Sequence, residues 1–330
     1  MYSIMLRHGL FYLSLLLTAA GCIRTDELTV AYEELARTGE GYELHDVVTT
    51  DAGYIVAVGG LSFFDGVVMI YRDGQSVVQR VTDKQLLAAT VLPSGEVVAT
   101  GVSGRFCRLM PEASSSFDVA LGQLFYWDKM TGIAYYADDD AYLMSSGIAY
   151  KDGRHYRYTT DLAVQSADSI VQEVSDIVLS ESGVAHSVGY GTVLRSTNGG
   201  YTWRRADDIP GDFYQSVDFP TAQVGYTVGL SGSILTTTDG GDTWQTLRNG
   251  DRISNRNLPF RAVDFADAAR GMAVGDDGLL WYTADSGDTW AQLYALDLPE
   301  GTDWLGVAHL QGSDYAICSR SGILGKVTVP

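Results

Sequence analysis

One short motif constrains this chain more than any other feature. Ser/Thr-x-Asp/Asn-x-Gly-x-Thr-Trp is written three times, as STNGGYTW (196–203), TTDGGDTW (237–244) and TADSGDTW (283–290), at offsets of 41 and then 46 residues. Such an octet is either a chemical site used three times or a joint that equivalent units share. The flanking residues favour the joint. Units 175–203, 215–244 and 261–290 each run through an alternating apolar stretch, a turn, a stretch ending in Val-Gly, a second turn, a third stretch and the octet. Period-2 alternation broken every few residues by Gly, Asp or Ser means short strands and hairpins. No segment carries a ten-residue amphipathic helical pattern. Thirty-seven glycines against seven prolines suit many strands joined by tight turns.

Weaker copies extend the pattern to 45–74, 87–110 and 124–153, and an octet-less copy fills 304–329. Residues 44–330 thus divide into seven units of about 41 residues. A repeat of that size holding four strands is a propeller blade. The expected fold is an all-β, seven-bladed β-propeller with four antiparallel strands per blade. Six or eight blades are the alternatives, because the second and third copies are degraded. The last copy is one strand short. The segment ELTVAYEEL (27–35) is expected to supply that strand and close the ring, which leaves no free sheet edge between first and last blades.

Within the octet each residue type has a mechanical use. Asn198, Asp239 and Asp285 can accept hydrogen bonds from nearby backbone amides and fix the turn. Gly200, Gly241 and Gly287 can take positive φ. Trp203, Trp244 and Trp290 can wedge between neighbouring sheets. The three octets resemble the Asp-box, or bacterial neuraminidase repeat, which forms the turn between the third and fourth strands of a blade. Together with the spacing and the VGLSGSIL lead-in at 228–235, they resemble the photosystem II stability/assembly-factor propellers and their relatives in non-photosynthetic bacteria. The resemblance covers roughly residues 40–329 and is strongest over 170–295. It implies a non-enzymatic propeller that holds a partner polypeptide, in some members through an arginine-rich patch.

The N-terminus belongs to export rather than to the propeller. MYSIMLRHGLFYLSLLLTAAGC starts basic, continues through an apolar run too short to span a bilayer, and closes with small residues before Cys22. It resembles the lipobox of bacterial lipoproteins, with Ala19 where Leu is usual. Residues 1–21 are expected to be a lipoprotein signal peptide, 22–43 a lipidated Cys22 with a short tether and the ring-closing strand, and 44–330 the propeller. Ile23 after the cysteine points to the outer membrane or cell surface. Removing residues 1–21, which hold one Arg and no acid, leaves a net charge of about −20. That charge argues against nucleic-acid binding and leaves the lipid anchor as the membrane contact. Cys107 and Cys318 fall in non-adjacent units, so the fold is expected to need no disulfide.

A ligand is expected on the face opposite the octets, where the connections between blades open. The links 204–215, 247–262 and 294–306 hold Arg204, Arg205, Arg248, Arg252, Arg256 and Arg261, with Tyr214 and Trp304 beside them. Arginine forks suit carboxylates and stack on aromatics, so these residues are candidates for gripping an acidic peptide or a carboxylated glycan. Neutralisation of Asp207, Asp208, Asp212 and Asp251 is the competing role. Asp138–Asp140 and the acids of 275–278 lack an ion-binding loop spacing, and the histidines are singletons, so no metal or cofactor is expected. Asp-boxes also occur in sialidases, and a glycan-acting hydrolase is the alternative. Its Phe/Tyr-Arg-Ile-Pro signature is missing; the nearest look-alike is PFRAV at 259–263. No carboxylate pair of the kind a glycosidase needs is singled out.

Overall fold

The computed structural model describes residues 25–39, 41–113, 115–121, 128–148, 151–250 and 258–330. Among them the strands form seven sheets, each with four antiparallel strands and one with a fifth, the blades spanning 43–82, 86–120, 129–172, 174–205, 214–248, 260–294 and 304–328, the last completed by an N-terminal strand. The inner strand of each blade packs against the inner strands of both neighbours, and that of blade 7 against that of blade 1. The sheets therefore form a closed ring. Its core is divided into seven apolar wedges, one at each blade–blade interface. The described helices are single 3-10 turns of three residues.

One sequence position repeats through all seven blades. Leu44, Leu86, Met130, Val174, Tyr214, Phe260 and Trp304 lie at or one residue after the start of the paired part of the inner strands, and each is fully buried. Directly after each, the register with the second strand slips by one residue. A bulge in this place bends the strand and increases its twist, which lets sheets converge on an axis without clashing.

Ring closure uses the N-terminus, in a more elaborate form than the sequence suggests. The outer strand of blade 7 is β2 (Ala31–Arg37), antiparallel to Ile323–Thr328. The segment just before it, β1 (Thr25–Thr29), instead adds a fifth strand to blade 6, running parallel to Trp290–Tyr294. The switch occurs at Val30, whose side chain is buried in the wedge between blades 6 and 7 and whose amide donates to the Tyr294 carbonyl at 2.9 Å. The closing strand thus starts four residues later than 27–35. An apolar residue between two polar strands is the pivot.

The octets are built alike. In blade 5 the Thr237 hydroxyl accepts from the Gly241 amide at 3.0 Å, and Asp239 accepts from the Thr243 amide at 2.9 Å and the Thr243 hydroxyl at 2.6 Å. Blade 6 repeats these bonds with Thr283, Asp285, Gly287 and Thr289. In blade 4, Asn198 accepts from the Thr202 amide and Ser196 from that of Gly200. Burial works against the charge of Asp239, yet the Thr243 hydroxyl and amide hold its carboxyl down at about 2. Gly200, Gly241 and Gly287 have φ of +86°, +81° and +82°. A Cβ there would also come within 2.8 Å of Leu143, His186 or Leu247, each in the preceding blade. Glycine is required twice over, by dihedral and by contact.

The octet tryptophans face the same interfaces. Trp203 stacks on His155 of blade 3 with ring centroids 3.9 Å apart. Trp244 borders the wedge between blades 4 and 5, and Trp290 is fully buried between blades 5 and 6. Two arginines fasten the octets from behind. Arg195 donates to the Gly240 carbonyl at 2.7 Å and pairs with Asp242. Arg157, buried between the rings of Tyr136 and Tyr201, donates to the Gly199 carbonyl and to Asp139. Through it, blade 3, which lacks an octet, is tied to the octet of blade 4. Truncating Trp290 to Ala should cost about 3–5 kcal/mol of unfolding free energy, the range for large buried aromatics. Chemical denaturation would measure this; a loss below about 1 kcal/mol would contradict the wedge role.

Candidate partner-binding face and central cavity

The octets join the third strand of a blade to the fourth, so the turns between second and third strands lie on the opposite face, beside the links between blades. In three consecutive blades a predicted arginine reaches that turn. Arg205 of blade 4 donates to the Gly191 carbonyl and Arg248 of blade 5 to the Gly232 carbonyl. Arg261 of blade 6 grips Asp276 with two bonds of 2.8 and 2.7 Å. Arg248 lies over the ring of Trp281 at 5.7 Å, and burial lowers its pKa while Asp212 opposes that shift. These three side chains share one face.

The other candidates separate. Arg204 is exposed but pairs with Asp242 at 3.0 Å, in the blade 5 octet, and so belongs to the opposite face. Adjacent on the outer strand, the two leave opposite sides of the sheet, so Arg204 reaches across to the octet of the next blade while Arg205 stays with the turn of its own. Tyr214 and Trp304 are fully buried rather than displayed. They occupy the bulge-preceding position of the inner strand, where a large side chain fills the gap between blades; Tyr214 also spends its hydroxyl on the Pro210 carbonyl at 2.8 Å. Arg252, Arg256 and Asp251 lie outside the described residues, as does Cys22. Asp140 of the 138–140 run is taken up by Tyr135 and Thr160, and Asp276 by Arg261.

Four arginines of this face were not anticipated. Arg80 pairs with Asp65 in the corresponding turn of blade 1, and Arg105 with Asp83 at the link from blade 1 to blade 2. Arg154 of blade 3 donates to the Tyr156 hydroxyl, and Arg320 of blade 7 pairs with Asp303 at 3.0 Å. With Arg205, Arg248 and Arg261 they give each blade one arginine at or beside this turn. For two of them the sequence signal was an adjacent glycine, in Gly104-Arg105 and Gly153-Arg154; Arg80 and Arg320 carry none. Exposed apolar groups share the face. Phe64 is 73% exposed in the blade 1 turn, and Tyr190 is 49% exposed in the blade 4 turn, edge-on to Phe213.

At the axis lies a cavity of about 630 Å³ to which all seven blades contribute. Asp46, Asp176, Asp218 and Asp264 line it from blades 1, 4, 5 and 6. Each carboxylate reaches across to the next inner strand, accepting from the amides of Ala89 (2.8 Å), Val217 (3.0 Å), Phe265 (2.9 Å) and His309 (2.6 Å). They staple neighbouring blades. Between blades 3 and 4 the Thr131 hydroxyl does so, donating to the Val174 carbonyl at 2.8 Å. Burial pushes the carboxyls of Asp46 up to about 7 and Asp264 up to about 6, and raises those of Asp176 and Asp218; the amide donors oppose the shift. Among the described residues no group of three or more His, Cys, Asp or Glu is placed to hold a metal ion.

Residues 211–302, spanning the fifth and sixth blades, match the family profile described as photosynthesis system II assembly factor YCF48. The chain is similar to YCF48 there. No curated protein gives a significant match to the sequence. Among solved structures, YCF48 bound to D1 peptide superposes with a TM-score of 0.65 at 17% identity, covering 96% of this chain and 100% of that one. YCF48 from Cyanidioschyzon merolae gives 0.63 at 13%, covering 90% and 99%. Virginiamycin B lyase from Staphylococcus aureus gives 0.69 at 13%, covering 91% and 100%. At these identities the likeness to YCF48 and to the lyase shows the propeller fold.

The staples make a pH prediction. Folded-state pKa values of about 7 and 6 lie above the ordinary 3.8 of Asp, so these groups favour the folded state most strongly at low pH. Their contribution is full below the ordinary 3.8, falls progressively as pH rises from there, and is gone once pH passes the folded values of about 6 and 7. Asp46→Asn, which keeps a carbonyl for the Ala89 amide, should flatten the fall of melting temperature between pH 5 and pH 8 relative to wild type. An unchanged slope would contradict the assignment.

Proposed function

We propose that the protein is a non-catalytic β-propeller that holds a polypeptide partner on the face opposite its octets. The observation that carries this reading is the placement of one arginine per blade around that face, next to exposed Phe64 and Tyr190. Arginine and aromatic side chains dominate protein-binding hot spots, and a guanidinium already poised by a carbonyl or one carboxylate can accept a second acidic partner. The likeness to YCF48, solved with a D1 peptide, supports a peptide-holding role. An acidic or carboxylate-bearing segment is the partner chemistry that these arginines fit.

The same proposal places the protein outside the cytoplasm, exported with the signal of residues 1–21 and anchored through acylated Cys22 at the outer membrane or cell surface. The sequence of residues 1–22 supports this reading. A glycan-acting hydrolase is the second reading, favoured by one observation, the raised carboxyls of Asp218 and Asp264 in the axial cavity. Against it, each of those carboxylates already accepts a backbone amide of the next blade. Turnover of a fluorogenic glycoside that disappears in Asp264→Asn would establish that reading.

The binding proposal is tested by crosslinking the protein in its host, identifying the captured polypeptide, and measuring its affinity for variants. Arg205→Ala with Arg320→Ala should weaken binding about tenfold or more, given roughly 1.5–3 kcal/mol for a hydrogen bond to a charged group. Melting temperature should hardly change. Arg204→Ala, on the octet face, should bind like wild type. Equal affinities for all three proteins would refute the proposed face.

A further inference from the structure

The exposed apolar side chains of this protein are not spread evenly round the ring. Of the nine large ones among the described residues, Leu61, Phe64, Val77 and Val78 belong to blade 1. The two valines sit on its outer strand, Gln75–Thr82, which pairs on one side with Asp65–Arg72 and, among the described residues, with nothing on the other. Open edges invite pairing with a further strand, and natural sheets blunt them with charge, shortness or a cover. The other blades do so. The outer strands Ser115–Ala120, Val164–Gln172 and Ala31–Arg37 carry Asp118, Asp168 and Glu33 with Glu34. Those of blades 4 and 5 are two and four residues long, and that of blade 6 is covered by β1. Gln75–Thr82 is eight residues long and holds no acid, in a chain with 41 of them.

We infer that blade 1 pairs edge to edge with the same strand of a second copy of this chain, antiparallel, about a two-fold axis at Val77. The register follows from the hairpin. Asp73 and Gly74, with φ of +51° and +79°, form a two-residue turn closed by Arg72 opposite Gln75. Such a turn makes its closing pair a hydrogen-bonded one. Alternation then leaves the N–H and C=O of Ser76, Val78 and Arg80 pointing away from the blade. An axis at Val77 sets Ser76 of one copy against Val78 of the other, and the two such pairs exchange about four N–H···O=C bonds. Val77 meets Val77 of the second copy on one face of the joined sheet, with Cα atoms about 4.5 Å apart. Arg80 comes opposite the Asp73–Gly74 turn of the second copy, where the Asp73 side chain is 87% exposed. No acid faces an acid within the paired residues, as self-association of so acidic a chain requires. Six of the seven arginines of the loop face lie in other blades, so the contact does not rest on the proposed polypeptide site.

The test is a symmetric disulfide in the full chain, oxidised mildly in detergent solution. Salt at about 0.15 M limits the repulsion between acidic copies to about 8 Å. Val77→Cys places two thiols across the axis within the Cα separation that a disulfide spans, about 4.4–6.8 Å. Gln75→Cys, also exposed, is the control, because its two copies stand four residues apart along the joined strands, about 14 Å. Wild type, with Cys22 and the buried Cys107 and Cys318, sets the background. Covalent dimer should form at least about tenfold more from Val77→Cys than from Gln75→Cys. Adding Val78→Pro removes an outward amide and no bond of the blade's own ladder, so the dimer should fall to background. Val78→Lys, at an exposed side chain, should do the same with an unchanged melting temperature. Equal yields from positions 75 and 77, a yield at the wild-type level, or a yield that survives both Val78 changes would overturn the pairing. Capture of a different polypeptide by Val77→Cys in place of a second copy would overturn it too.

Discussion

A four-stranded blade of this protein cannot bury both of its faces by itself, and everything else in the structure answers that constraint. Each apolar wedge belongs to two blades, so removing one blade would expose two interfaces. A ring supplies every blade with two neighbours, but only if its ends meet. Pairing of β2 with Ile323–Thr328 joins segments almost the whole chain apart. The chain-length part of that loop-closure entropy is only about 5 kcal/mol, because the cost grows with the logarithm of length. Closure is inexpensive relative to the wedge between blades 7 and 1 that it completes.

The interfaces are sealed by two kinds of polar fastening at different radii. Near the axis, Asp46, Asp176, Asp218 and Asp264 take an amide from the next inner strand. Toward the octet face, Arg157 and Arg195 cap the carbonyls of Gly199 and Gly240. Both devices satisfy backbone groups that the strand ladders leave open, where a buried unpaired group would be costly. The octets and the axial acids are therefore two ends of one joint. The loop face, free of this duty, is where arginines and exposed aromatics accumulate.

Much of the fold was legible because repetition converts weak local signals into a strong global one. Seven units of about 41 residues and a missing final strand are properties of spacing, and the sheets reproduce them. What was not legible depended on a single strand's neighbours. The segment TDELT holds a single apolar residue, Leu28, which packs against the wedge between blades 6 and 7, and one such residue makes no period. Tyr214 and Trp304 looked like exposed loop aromatics; only alignment with Leu44, Leu86 and Phe260 marks them as wedge residues. The axial staples were visible in outline as an Asp set among apolar residues in HDVV, SDIV, SVDF and AVDF. Arg204 and Arg205 show the limit most plainly, since adjacent residues on one strand serve opposite faces.

The central claim is that the N-terminal strand closes the ring and that the blades form one cooperative unit. Native-state hydrogen exchange measures it directly. Amides of β2 and of its partner Ile323–Thr328 should exchange with the same high opening free energy as the inner strands of blades 1 and 7. If β2 exchanged freely while the rest of blade 7 stayed protected, the ring would be closed without it, and the account would be wrong.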